Sequence, residues 1–519
     1  MSYNLRLTFA LIASALALVD VTAQPASAVS PVIQTRSGAV VGDGADVWAF
    51  KGIPYAAPPV GELRWRPPAS PPPWEGVRKS TSFGADCMQK PGPPTRAPAF
   101  SEDCLTVNIW TKADSTQGKS PVMVFVYGGG FINGSGSHPL YDGEAFARKG
   151  VVLVTFNYRS GVFGFLAHPL LTRESPHNSS GNYGLLDIIA ALRWVKDNIA
   201  NFGGDPARIT LFGESSGASA ISVLLGSPLT NGLFEQVILE SPGAMRPIAS
   251  LDVGEKAGQV AGNDLAQMRG LSDADVLALT ERLVPAVRSL TAPRALGPVS
   301  DGWVLQGDER NAFASGRVHP VPLIVGGNSD EGRLFIGSWP VHSVSELRTF
   351  VEQNFAKAAP GALQVWSANT DQDVPHALSY MFADTQFNFG VRGMAREQSR
   401  IQPKTYRYLF TRSPNGEQNA PTHAEELGYV FGNLTAPGVV KRSGFDATDK
   451  SLSEQIMDAW VRFATTGDPN GGKLPSWPLY QATTDPYLEF GDSVVAKTGY
   501  RNRALDFVQE FFDARTTTK

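Results

Sequence analysis

Short runs of uninterrupted apolar residues alternate along this chain with longer stretches in which apolar positions recur every three or four residues. Residues 122–127 and 151–158 read as strands buried on both faces, and 208–212, 236–239, 322–326 and 406–410 have the same character. Between them, 185–199 places Leu185, Ile188, Ile189, Leu192, Val195 and Ile199 on one helical face, and helices are also predicted over 216–225, 452–463 and 504–512. Strands with no polar alternation need cover on both faces. The pattern therefore predicts an α/β protein with a large, mostly parallel sheet between helical layers.

Two segments depart from that rhythm. Residues 52–74 are crowded with proline and taken alone would suit a polyproline linker, but Ile53, Tyr55, Leu63, Trp65 and Trp74 give them an apolar face, so they read as coil packed on a core. At the N-terminus, Arg6 precedes the apolar stretch 7–19, and Ala26-Ser27-Ala28 offers a small-residue cleavage point, with an earlier cut after Ala23 also open. A bilayer needs about 20 apolar residues, so this stretch reads as a signal peptide over 1–28 and not as a membrane anchor. With no internal repeat or linker, 29–519 reads as one domain.

Composition narrows the partners. Hydrophobic residues at 42% and charged residues at 18% describe an ordinary globular chain, and a net charge of −4 offers no general basic surface for nucleic acid. A small-molecule ligand fits better. Export to a secreted or periplasmic location would place the two cysteines, Cys87 and Cys104, in an oxidising compartment. A bridge is then favoured over two buried thiols. No metal-ligand spacing is found, and neither a metal nor another cofactor is expected.

The candidate chemistry centres on Gly213-Glu214-Ser215-Ser216-Gly217, between a predicted strand and a predicted helix. Glycines and serines also cluster in ordinary turns, but a strand, sharp turn and helix is the context in which such a serine projects above a sheet as a nucleophile. A serine hydroxyl needs a base and an orienting acid. Of seven histidines, His423 is the late one that follows a strand, as a serine, acid, histidine order would require. The strand over 322–326 leads to Asp330-Glu331, and spacing does not choose between these two acids. Gly128-Gly129-Gly130 follows another strand; its backbone amides suit an oxyanion, and no Lys-Ser or Lys-Thr follows at the spacing of a phosphate-binding loop.

Taken together, these segments resemble the type-B carboxylesterase and cholinesterase family over nearly all of 29–519. The likeness also rests on Gly52-Ile53-Pro54-Tyr55-Ala56, Ser101-Glu102-Asp103-Cys104-Leu105 and Gly181-Asn182-Tyr183-Gly184-Leu185-Leu186-Asp187. It implies an α/β-hydrolase fold, a Cys87–Cys104 disulfide, and a catalytic triad of Ser215, Glu331 and His423. It also implies an oxyanion hole from the amides of Gly129, Gly130 and Ser216. Two departures stand out: Ser216 replaces the family's usual alanine, and residues 88–103 lack the tryptophan that receives a quaternary ammonium in cholinesterases.

Glu240-Ser241-Pro242-Gly243, Arg246-Pro247, Pro293-Arg294, Gly297-Pro298 and Ala383-Asp384-Thr385-Gln386-Phe387-Asn388 resemble the bacterial fumonisin esterases within that family. Those enzymes release tricarballylic acid. The likeness implies Arg246 and Arg294 near an acyl pocket, where paired guanidiniums would suit a polycarboxylate. Two other functions compete: a carboxylesterase or lipase acting on neutral esters, and a non-catalytic binding protein on the same fold. The retained serine, acid and histidine weigh against the latter.

Overall fold

The computed structural model describes residues 30–92, 94–113, 119–414, 419–438 and 442–516. The signal peptide predicted over 1–28 lies outside them. The main sheet contains β1 (Asp43–Gly44), β2 (Val47–Pro54), β3 (Thr106–Lys112), β4 (Ser120–Val126), β5 (Val152–Phe156) and β6 (Gly204–Glu214). It continues with β7 (Gln236–Glu240), β8 (Leu323–Asn328), β9 (Thr405–Phe410), β10 (Pro486–Phe490) and β11 (Val494–Thr498). Their spatial order is β11-β10-β9-β8-β7-β6-β4-β5-β3-β2-β1. From β5 to β10 all neighbours are parallel, and antiparallel strands close both edges.

The uniformly apolar runs are explained by position. Every residue of β5, β7, β8 and β9 is buried, whereas β11 at the edge is largely exposed. Covering helices include α1 (Tyr183–Asn198), α2 (Ser216–Leu224), α3 (Val374–Ala383), α4 (Phe389–Ser399) and α5 (Ala447–Thr466). A π-helical turn, Asp384–Asn388, joins α3 to α4.

The proline-rich segment packs on the core as expected, with Trp65 buried and its indole N–H donating to Val162 O at 2.9 Å. Ile53 is an exception to the coil reading, since it ends in β2. Cys87 and Cys104 form a disulfide. Among the described residues no helix is long and apolar enough to cross a membrane.

Candidate active site

Ser215 occupies the corner between β6 and α2. Its backbone lies at φ 55°, ψ −122°, outside the conformations a serine ordinarily prefers. Neighbouring structure imposes this: Ser215 N donates to Glu240 O at 2.9 Å, and Ser219 N returns a bond to Ser215 O at 2.9 Å. The turn also needs its glycine, because a β-carbon at Gly217 would collide with the carbonyls of Val126 and Tyr127. The packing of α2 against the end of β4 therefore fixes the corner that presents Ser215.

The glycine loop leaves the end of β4 and runs past the serine. A β-carbon at Gly128 would lie 2.8 Å from Ser215 Cβ, and Gly129 and Gly130 adopt φ values of 121° and 66°. Among the described residues neither Gly129 N–H nor Gly130 N–H donates to a protein acceptor. Ser216 N–H opens α2, at the end of a helix where amides lack intrahelical partners. Ser216 Oγ is buried beside the Tyr158 hydroxyl, which itself donates to Tyr127 O at 2.9 Å.

The acid and the histidine arrive on two loops stitched together. Asp330 N donates to Pro421 O at 3.0 Å, and Thr422 Oγ1 donates to Asp330 O at 2.9 Å. Of the two acids, Glu331 meets the histidine, with His423 Nδ1 2.5 Å from Glu331 Oε2. Asp330 turns away to Ser379 Oγ at 2.7 Å and Arg333 Nε at 2.8 Å. The other oxygen of Glu331 accepts from Asn328 N at 2.6 Å and Ser241 Oγ at 2.5 Å. Glu331 is 0% exposed and His423 4% exposed, so the acid is locked and the ring has little freedom. Phe387, on the π-helical turn, lies 4.4 Å from the His423 ring centre, and Phe335 lies 5.0 Å away. Nε2 points toward Glu214 Oε1 at 3.0 Å without the alignment of a hydrogen bond.

Arg246 and Arg294 line a cavity of about 110 Å³ that reaches Gly130. Arg294 Nη1 would lie 3.9 Å from a β-carbon at Gly130, and its guanidinium sits 5.6 Å from the Phe131 ring centre. Arg246 is 7% exposed, and its Nε has no partner. Burial first, then the neighbouring Arg288, lowers the Arg246 pKa to about 10. Among the described residues no group of His, Cys, Asp or Glu is arranged to hold a metal ion.

The carboxylesterase family profile matches residues 29–508. The chain belongs to the carboxylesterase family. It is 44% identical over 498 residues to the fumonisin B1 esterase of Sphingopyxis macrogoltabida, spanning 95% of this chain and 91% of that protein. It is 36% identical to the para-nitrobenzyl esterase of Bacillus subtilis, over 87% of this chain and 93% of that one. A solved PNB esterase structure superposes with a TM-score of 0.81 at 32% identity, covering 92% of this chain and 99% of that one. This carboxylesterase is thus a carboxylic ester hydrolase with an α/β-hydrolase fold.

The structure adds residues that sequence reading passed over. Glu214, Glu240 and Glu426 are buried around the Glu331–His423 pair, and burial, followed by neighbouring carboxylates, raises the pKa of each of these three. They are far apart in sequence, so only Glu214, inside the serine motif, was marked by its position. Arg288 lines the same cavity as Arg246 and Arg294. No motif announced it.

Proposed function

We propose that this carboxylesterase is an exported serine esterase that works through an acyl-enzyme on Ser215 and favours esters of polycarboxylic acids. The observation that carries the catalytic reading is the Glu331–His423 pair, held at 2.5 Å on stitched loops, with Nε2 directed to Glu214, the residue before a serine in a strained turn. His423 Nε2 takes the hydroxyl proton as Ser215 Oγ attacks the ester carbonyl. Glu331 orients the ring and supports its positive charge. Negative charge developing on the carbonyl oxygen is met by the amides of Gly129, Gly130 and Ser216. The alcohol leaves with the proton from His423; water, deprotonated by the same ring, then frees the acid and restores the serine.

Two observations support the acidic acyl preference. Arg246 and Arg294 face the cavity beside Gly130 without an ion-paired carboxylate among the described residues, and a 44%-identical relative is a fumonisin B1 esterase. Export rests on the three-part pattern over 1–28, and 29–519 is taken as one catalytic domain.

A direct test pairs wild type with Ser215→Ala. Hydrolysis should fall by about 10⁴-fold or more in the variant, and an organophosphate should add its mass to wild type alone. Undiminished turnover, or labelling of the variant, would overturn the assignment.

A further inference from the structure

The cavity beside the glycine loop holds three positive charges. Arg246, Arg288 and Arg294 all line it, and no ion pair reaches any of them among the described residues. Arg246 makes one long hydrogen bond, from Nη2 to Ala292 O at 3.4 Å, and its buried Nε makes none. The carboxyl lining the adjoining small cavity, Glu309, accepts from Met245 N at 2.8 Å and forms no ion pair with an arginine. Elsewhere this protein pairs its buried arginines. Arg159 meets Asp187 through Nε at 2.8 Å and Nη2 at 2.7 Å.

Placement gives the cluster a direction. A β-carbon at Gly130 would lie 3.4 Å from Arg288 Nη2 and 3.9 Å from Arg294 Nη1, so these two guanidiniums converge on one spot at the end of the loop that passes Ser215. Arg294 Nη2 would lie 3.3 Å from a β-carbon at Gly243, on the side shared with Arg246. One carboxylate between Arg288 and Arg294 would leave Arg246 unmet, whereas a second carboxylate nearby would answer it. Guanidinium does not shed its proton at working pH, and Arg246 is buried while Arg288 and Arg294 are half-buried, so the cluster suits an anionic ligand that supplies the missing charge.

We propose that Arg246, Arg288 and Arg294 form one site for two carboxylates carried on a short acyl group, and that the released polycarboxylic acid rebinds there and inhibits the enzyme. This rests on the esterase reading above. It adds Arg288 as a specificity-determining residue and makes the free acid a ligand in its own right.

The test uses the full-length protein with 4-nitrophenyl acetate as reporter, at constant ionic strength, and adds acetate, phosphate or tricarballylate. Tricarballylate should inhibit competitively with an inhibition constant at least tenfold below that of acetate, and should raise the melting temperature as its concentration rises. Arg288→Gln should raise that inhibition constant about tenfold, measured against the variant's own uninhibited rate, and should shrink the melting shift. Equal effects of phosphate and tricarballylate would overturn the two-carboxylate site, as would wild-type hydrolysis indifferent to tricarballylate with no melting shift. If no ester were hydrolysed at all, the esterase reading would fail, and the melting shift would still decide whether the site exists.

Discussion

On the His423 side of Ser215 four carboxyl groups, Glu214, Glu240, Glu331 and Glu426, are shut inside the protein, whereas the cavity at the end of the glycine loop gathers three guanidiniums. The acids are provided for internally. Glu331 takes His423, Ser241 and Asn328; Glu240 accepts from Trp460 Nε1 at 2.9 Å, and Glu426 from Asn328 Nδ2 at 2.5 Å. Glu214 Oε1 and Glu240 Oε2 are left without a donor, and burial pushes Glu214, Glu240 and Glu426 above the ordinary carboxyl range, which favours their neutral forms. The arginines have no such outlet. The acids thus form a fully buried, self-contained cluster on one side, while on the other a buried Arg246 and the half-buried Arg288 and Arg294 form the site proposed above for an anion.

The largest expected effect separates Glu331 from its fellow acids. Glu331→Gln should lower kcat by about 10³–10⁴-fold, because the amide no longer holds and balances a protonated His423. Glu426→Gln, one step removed from the ring, should cost much less; steady-state kinetics on a neutral ester would check both, and equal losses would dissolve the distinction.

Next comes the contrast between paired and unpaired arginines. Asp187→Asn strands Arg159 in the interior and should destabilise the fold by about 3–5 kcal/mol. Arg246→Met removes a buried charge that has no ion pair among the described residues, so it should raise the unfolding free energy in anion-free buffer, by up to about 4 kcal/mol. Urea titrations of both variants would decide, and a loss in Arg246→Met as large as in Asp187→Asn would show that Arg246 is already paired.

A smaller effect appears in the pH dependence of stability. Glu240 has a folded pKa raised above its unfolded value, so the folded state binds more protons and loses stability as pH rises from about 4.5 toward the raised pKa. Gln cannot titrate but still offers Trp460 an oxygen. Glu240→Gln should therefore gain stability relative to wild type between pH 5 and pH 8, and a difference that stays flat with pH would contradict the buried-acid account.

Much of this architecture was legible because parallel strands buried on both faces leave continuous apolar runs, and the runs at 122–127 and 151–158 cover most of β4 and β5. Helix starts were less so. The apolar periodicity of α5 begins at Leu452, yet the helix starts at Ala447, because Asp446 and Asp449 form a capping box that Arg412 braces with a 2.8 Å bond to Asp449. The serine turn and the glycine loop are local in sequence and could be read there. The choice of Glu331 over Asp330 depends on which way two adjacent side chains leave one loop, and spacing carries no such information. Arg288 joins Arg246 and Arg294 only through folding of the 284–296 segment over the glycine loop.

The most direct test compares kcat/KM for a tricarballylate monoester with kcat/KM for a neutral nitrophenyl ester, in wild type and in the Arg246→Ala, Arg294→Ala double variant. Wild type should prefer the acidic ester. Charge-assisted hydrogen bonds contribute about 1.5–3 kcal/mol each, so the ratio should fall by about a hundredfold or more in the variant. Equal losses on the two esters, leaving the ratio where wild type has it, would contradict the account.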